Sequence, residues 1–187
     1  MEAFDFAFTL FGLVLGLAMA EVLGGFVRVL KARSFAPDES VRIRIGWLTP
    51  AIGLLVVLDL ISTWILAWVS RERFDISMAT LIGGTLVTGL YYIAANLVWP
   101  DDPARWPDLD QWFDRHKAQI GAAIAAANVG FVTVDYATNP TAIALPAQIA
   151  YIALAASLIF TRRRWQSGLV MAVMLGLIAA YAVGVMG

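Results

Sequence analysis

Residues 11–25 read FGLVLGLAMAEVLGG, from Phe11 to Gly25. Glu21 is the only charged residue in this run, and small residues recur at every fourth position before and after it. A helix that spans a lipid bilayer needs about 20 mainly apolar residues, and this run lies at the centre of such a segment. The stretch therefore predicts a membrane-embedded helix whose glutamate and small residues require an explanation.

The composition of the whole chain is typical of a membrane protein. Of its 187 residues, 60% are hydrophobic and 14% are charged, and the mean hydropathy is +0.77, whereas soluble domains are about 25% charged. The net charge of −1 gives no indication of nucleic-acid binding. Because the chain has no cysteine and His116 is its single histidine, we expect no disulfide, no metal site and no cofactor.

No sequence motif indicates catalysis. We find no Ser/Lys or Ser/His pair, no paired aspartates of an intramembrane protease, and no glycine-rich phosphate loop.

The first residues, Met1 to Asp5, are acidic where a signal peptide would be basic, so the first apolar segment is expected to be retained. We therefore expect an integral membrane protein that is not an enzyme.

The hydropathy pattern predicts an all-α, polytopic helical bundle that forms one transmembrane domain over residues 1–187. Six apolar segments have the required length. They cover about 6–30, 46–69, 77–99, 118–137, 141–160 and 165–186. Because only Asp135, Asn139 and Pro140 separate the fourth segment from the fifth, a re-entrant pair is the alternative to two full spans there.

The basic residues predict the orientation of these spans. Under a six-span count, eleven of the thirteen lysines and arginines fall on one side, and only Arg71 and Arg73 fall on the other. The eleven are Arg28, Lys31, Arg33, Arg42, Arg44, Arg105, Arg115, Lys117, Arg162, Arg163 and Arg164. Cytoplasmic loops carry the excess of basic residues, so we predict a multi-pass protein of a bacterial inner membrane with both termini in the periplasm.

The connection before the fourth span has an amphipathic pattern. Trp106, Leu109, Trp112, Phe113 and His116 recur at helical spacing, with aspartates on the other face. This pattern predicts a short cytoplasmic helix at 106–116 that lies in the membrane interface. It favours either a linker that tucks its aromatic residues under the bundle or a docking site for a membrane-protein partner.

Small residues in the first helix form a ladder at Gly12, Gly16, Ala20 and Gly24. Such a stripe lets two helix backbones approach closely, which increases their van der Waals contact in lipid. The contact is expected either within one chain or between subunits of a homo-oligomer. In the second case, Gly16→Leu would separate the subunits.

Four polar residues fall inside four of the predicted helices. Asp59 and Asn128 are expected at a similar depth, and Glu21 and Asn96 somewhat further in. Polar groups inside a membrane are costly and often line an ion or proton pathway, so we predict that these four do so. For Glu21 the alternative is an ion pair with Arg28, seven residues further on the same helix face. For all four, the alternative is a network that only fixes helix packing.

Two features resemble a group of known proteins. The first helix has an acidic, aromatic start, a glycine-rich core and the basic exit Arg28-Val29-Leu30-Lys31, and the third helix ends in Trp99-Pro100-Asp101-Asp102. These features resemble uncharacterised small bacterial six-helix inner-membrane proteins. The resemblance implies the same membrane architecture but no activity and no functional residue.

Two functions follow from these observations. The first is a channel or transporter for protons or small cations that uses the polar residues near the membrane midplane. The second is a non-transporting structural or accessory subunit of a membrane complex, whose polar residues only fix the packing. A water-accessible cavity that reaches Asp59 would favour the first. Beyond the bilayer, the expected partners are a second copy of the chain or a membrane protein bound at 106–116.

Overall fold

The computed structural model describes residues 3–35, 43–69, 77–138 and 145–186. Six α-helices account for most of this part of the chain, and its only β-type pairing is an isolated bridge between Arg44 and Asp108. The helices are α1 (Ala3–Ser34), α2 (Leu48–Val69), α3 (Met78–Val98), α4 (Leu109–Thr138), α5 (Leu145–Ser157) and α6 (Arg164–Met186). A 3₁₀ turn at Pro103–Arg105 connects α3 to α4. The predicted all-α class is confirmed.

Four helices, not the predicted six, are long and apolar enough to cross a membrane within the described residues. They are α1, α2, α3 and α6. Helix α5 has 13 residues, so it is only about 20 Å long and falls short of the ~30 Å hydrocarbon core. The first turns of α4 carry charged residues, which shortens its apolar part. Helices α4 and α5 instead pack on each other as a helical pair.

The predicted interfacial helix at 106–116 is not a separate element. Helix α4 begins at Leu109 and continues without a break to Thr138, because no proline or glycine interrupts it before Gly121. Leu109 and Phe113 are fully buried in the core, and the Trp112 indole Nε1 donates to the Leu97 carbonyl at 2.9 Å. The aromatic face of this segment therefore packs under the bundle, as the linker alternative predicted.

We call the end at which α2, α4 and α6 begin the base of the bundle, and the opposite end the top. At the base, Asp110 Oδ1 accepts hydrogen bonds from the backbone N–H groups of Leu48 and Thr49 and thereby caps α2. Arg164 donates to Asp114 at 2.8 Å and to Asp108 at 3.3 Å. These contacts hold the starts of α2, α4 and α6 together.

The basic residues behind the predicted orientation are described only in part. Arg42, Arg71 and Arg73 lie outside the described residues. Arg44, Arg115, Lys117 and the three arginines at 162–164 all lie at the base. The described basic residues of these connections are thus grouped at one end of the bundle.

The glycine ladder of α1 is only partly packed within the chain. A Cβ atom at Gly12 would meet the Trp64 ring of α2, whereas one at Gly16 would meet nothing within 4 Å. Ala20 is exposed as well. The side of α1 that faces the core instead carries the buried residues Leu15, Ala18, Val22 and Val29. Gly16 and Ala20 therefore lie on an outer face, and Gly16 lines a groove of about 270 Å³ between α1 and α2.

Candidate functional site

Asp59 is a buried carboxylate halfway along α2. It lies about 16 Å along the helix from Leu48 and about 15 Å from Val69, and its exposed fraction is 3%. Burying a charged group without a partner is costly, so such groups acquire hydrogen bonds, a counter-ion or a proton. The surroundings of Asp59 therefore decide what it can do.

Neutral hydrogen-bonding groups from α2, α3 and α4 meet at Asp59. Asn128 Nδ2 lies 3.1 Å from Asp59 Oδ2, 3.1 Å from the Tyr91 hydroxyl and 3.0 Å from the Ile124 carbonyl. The Tyr91 hydroxyl also lies 2.8 Å from Thr63 Oγ1. An amide nitrogen has two hydrogens to donate, and here three acceptors compete for them. The same side chains therefore allow more than one arrangement of hydrogen bonds.

A cavity of about 100 Å³ extends from Asp59 toward the top of the bundle. Its polar lining includes Asp59, Thr63, Asn128, Gln148, Tyr151 and Tyr181. Its other lining residues are mostly apolar, and they include Leu66 on α2 and Val132 on α4, which lie further toward the top. Toward the base, by contrast, Ile52, Leu55 and Ile124 are fully buried. The cavity therefore lies on the top side of Asp59, and buried apolar side chains lie on its base side. We refer to this space as the polar cavity, after the polar groups beside Asp59, although most of its wall is apolar.

Two polar atoms in the lining of the polar cavity have no hydrogen-bond partner among the described residues. They are the Tyr151 hydroxyl and Gln148 Oε1, and both are buried. Tyr151 faces Asp59 without a direct hydrogen bond of good geometry, and its exposed fraction is 7%. Nearly all buried polar groups in proteins are paired with protein or with ordered water. These two atoms therefore leave hydrogen-bonding capacity beside the polar cavity that the described residues do not use.

The structure brings together two of the four residues predicted for an ion pathway. Asp59 and Asn128 are hydrogen-bonded, whereas Asn96 is exposed on the outer face of α3. Glu21 pairs with Arg28 on its own helix, with a distance of 2.6 Å between Oε1 and Nη2. This ion pair is the alternative that the spacing of the two residues had indicated.

Tyr91 is a residue of the site that the sequence pattern did not identify. Thr85, Thr88, Tyr92 and Asn96 recur at helical spacing along α3, but only Thr88 of these four is buried. The buried stripe instead continues from Thr88 to Tyr91. Tyr91 and Tyr92 are one residue apart, which corresponds to a rotation of about 100° around the helix axis, so they lie on different faces of α3. Ala94 and Ala95 lie on the same buried face as Tyr91. These small residues were the sequence signal that could have indicated which face of α3 packs in the core.

The donor set at Asp59 matches a proton or a monovalent cation better than a divalent metal ion. Within the described residues, no group of three or more His, Cys, Asp or Glu side chains could hold a metal. Calcium and magnesium sites in proteins usually combine several oxygen ligands, including carboxylates. Here one carboxylate is surrounded by neutral hydroxyl and amide groups.

Comparisons of this chain with known proteins provide no function that could be assigned to this site. Searches against known protein families, curated proteins and solved structures gave no match.

Proposed function

We propose that this protein is an integral membrane protein that binds a proton or a small monovalent cation at Asp59 and conducts it across the membrane. The observation that carries the proposal is the polar cavity, which reaches a single buried carboxylate and contains two unpaired polar atoms. A carboxylate in a low-dielectric site can hold either a proton or a cation, and this chemistry is typical of intramembrane relays.

The three-way competition for Asn128 Nδ2 suits such a role. When Asp59 is ionised, the amide and nearby hydroxyl groups can donate to it, and when Asp59 carries a proton or a cation they can turn to Tyr91 or Ile124. The site can therefore change its charge without losing all of its hydrogen bonds. Passage to the other side additionally requires the buried apolar residues between Asp59 and the base to separate, so we propose a second arrangement of the helices.

Asp59→Asn is expected to abolish the flux. In proteoliposomes with an internal pH-sensitive or sodium-sensitive dye, the native protein should accelerate proton or sodium entry above empty vesicles, and Asp59→Asn should return the rate to theirs. Asp101→Asn is the matched control, because Asp101 is exposed in the connection after α3. A native rate equal to that of empty vesicles, or an unchanged rate in Asp59→Asn, would contradict the proposal.

We further propose that the base faces the cytoplasm of a bacterium and that both termini face the periplasm. The described basic residues grouped at the base support this orientation. The chain contains no cysteine, so single cysteines can report it directly. Met78 and Arg163 are exposed at opposite ends of the bundle.

In intact cells, a membrane-impermeant maleimide is expected to label Met78→Cys and to leave Arg163→Cys unlabelled until the membrane is permeabilised. The reason is that only the top would be accessible from outside. The reverse labelling pattern would show that the base faces outward.

The alternative function is a non-transporting accessory subunit. It is favoured by the way Asn128 connects α2, α3 and α4 through Asp59 and Tyr91, because a hydrogen-bond network of this kind also fixes helix packing. In that case the native protein would give no flux, and it would co-purify with a larger complex. The residues available to a partner at 106–116 include the exposed Arg115, which stacks on Trp106 at 4.9 Å.

A further inference from the structure

A second cavity lies beside the polar cavity, between α1, α2, α3 and α4. Its volume is about 90 Å³, and its lining is almost entirely apolar. The lining includes Phe8, Phe11, Trp64, Ala67, Gly84 and Val87. An apolar cavity of this kind favours hydrocarbon over water. We refer to it as the apolar cavity.

The two cavities share a wall. Thr63 and Phe131 line both of them, so these two residues lie between the polar cavity and the apolar cavity. Phe131 is only partly buried, and joining the two spaces would require its side chain to change orientation. Together they would offer one carboxylate next to a hydrocarbon-lined pocket.

The charge and lining of the polar cavity determine which head group would fit there. Among the described residues that line it, Asp59 is the only one with a charged side chain. Aromatic rings of Phe131, Tyr151 and Tyr181 line the same space. Aromatic faces attract ammonium groups through cation–π interactions, and quaternary ammonium ligands are often bound in such surroundings. A weakly hydrated organic cation therefore matches this lining well.

We propose that the two cavities form one binding site for an organic monovalent cation that carries a short apolar chain. The ammonium head would lie in the polar cavity next to Asp59, and the apolar chain would pass Phe131 into the apolar cavity. The proposal rests on the proposed role of Asp59 and specifies its ligand. In size, the combined space slightly exceeds the ~150 Å³ cavity that accepts benzene in an engineered protein, which limits the chain to a few carbons.

The test compares two cations that share a head group. Equilibrium binding of radiolabelled tetramethylammonium and n-butyltrimethylammonium is measured on the full-length protein in lipid nanodiscs. We expect the native protein to bind the butyl compound at least tenfold more tightly, because only this compound buries a chain in the apolar cavity. Equal affinities, or no saturable binding of the butyl compound, would overturn the proposal without the use of any variant.

Two alanine variants locate the apolar chain. Ala67→Leu fills the apolar cavity, and it should reduce the ratio of the two affinities to about twofold or less while tetramethylammonium still binds. Ala172→Leu adds the same volume on an exposed face of α6, and it should keep the native ratio. If Ala67→Leu retains the native ratio as well, the chain does not lie in this cavity and the proposal is wrong.

The role of Asp59 is tested separately. Asp59→Asn is expected to weaken the binding of both cations at least tenfold, because the charge that holds the head group is lost. If proton or sodium flux depends on Asp59 but the native protein does not prefer the butyl compound, the ligand proposal fails and the proposed function stands. If the preference is present but no flux depends on Asp59, the binding site is supported and the proposed conduction fails.

Discussion

Asn128→Leu is expected to lower the free energy of unfolding by about 3 kcal/mol. The leucine would remove the donor that serves Asp59 and Tyr91, which are 3% and 0% exposed. Hydrogen bonds to charged groups contribute roughly 1.5–3 kcal/mol, and a buried group left without its partner costs about 1–3 kcal/mol. Equilibrium unfolding in mixed micelles with increasing sodium dodecyl sulfate measures the difference from the native protein.

Asn96→Leu is the matched control for this variant. The sequence predicted the same role for Asn96 and Asn128. Because Asn96 is exposed on the outer face of α3, its replacement is expected to change the free energy of unfolding by less than about 0.5 kcal/mol. In a double-mutant cycle, Asn128→Leu and Asp59→Leu should show a coupling energy of at least about 0.5 kcal/mol. Equal destabilisation at both asparagines, or a coupling energy near zero, would mean that the network around Asp59 does not form.

Gly121→Leu is expected to destabilise the bundle by about 1–3 kcal/mol or to separate α5 from α4. A Cβ atom at Gly121 would lie 2.6 Å from the Ala155 carbonyl oxygen and 3.0 Å from Leu158 Cβ. The first of these contacts is with backbone, which cannot rotate away as a side chain can. The same unfolding assay, together with proteolysis between the two helices, measures the effect.

Gly16→Leu is the matched control, because it makes the same substitution at a position where the chain leaves space for a side chain. A Cβ atom at Gly16 would meet nothing within 4 Å, so the stability of the protomer is expected to stay native. If Gly16 lies at a contact between subunits, as the ladder also allowed, this variant will sediment as a smaller species without loss of fold. Equal destabilisation by Gly16→Leu and Gly121→Leu would contradict the close approach of α4 to α5.

In α1, the sequence predicted the helix and its ion pair but not the face that packs in the core. Hydropathy identified the helix, and the spacing of Glu21 and Arg28 identified their ion pair as one of two alternatives. The glycine ladder, however, did not identify the face that packs in the core, where Leu15, Ala18 and Val22 are buried instead. Small residues permit a close contact but do not create one, because the neighbouring helix must also be at the right distance and angle.

The sequence by itself determined the all-helical class, the membrane-compatible composition and the clustering of basic residues, because these depend on the residue types along the chain. It also identified Asp59 and Asn128 through their polarity in apolar segments. Only the tertiary structure decided that Tyr91 and not Asn96 completes the cluster, and that Gln148 and Tyr151 share a cavity with Asp59. The reason is geometric: a rotation of about 100° per residue decides which side chains meet, and that rotation depends on the packing of all the helices together.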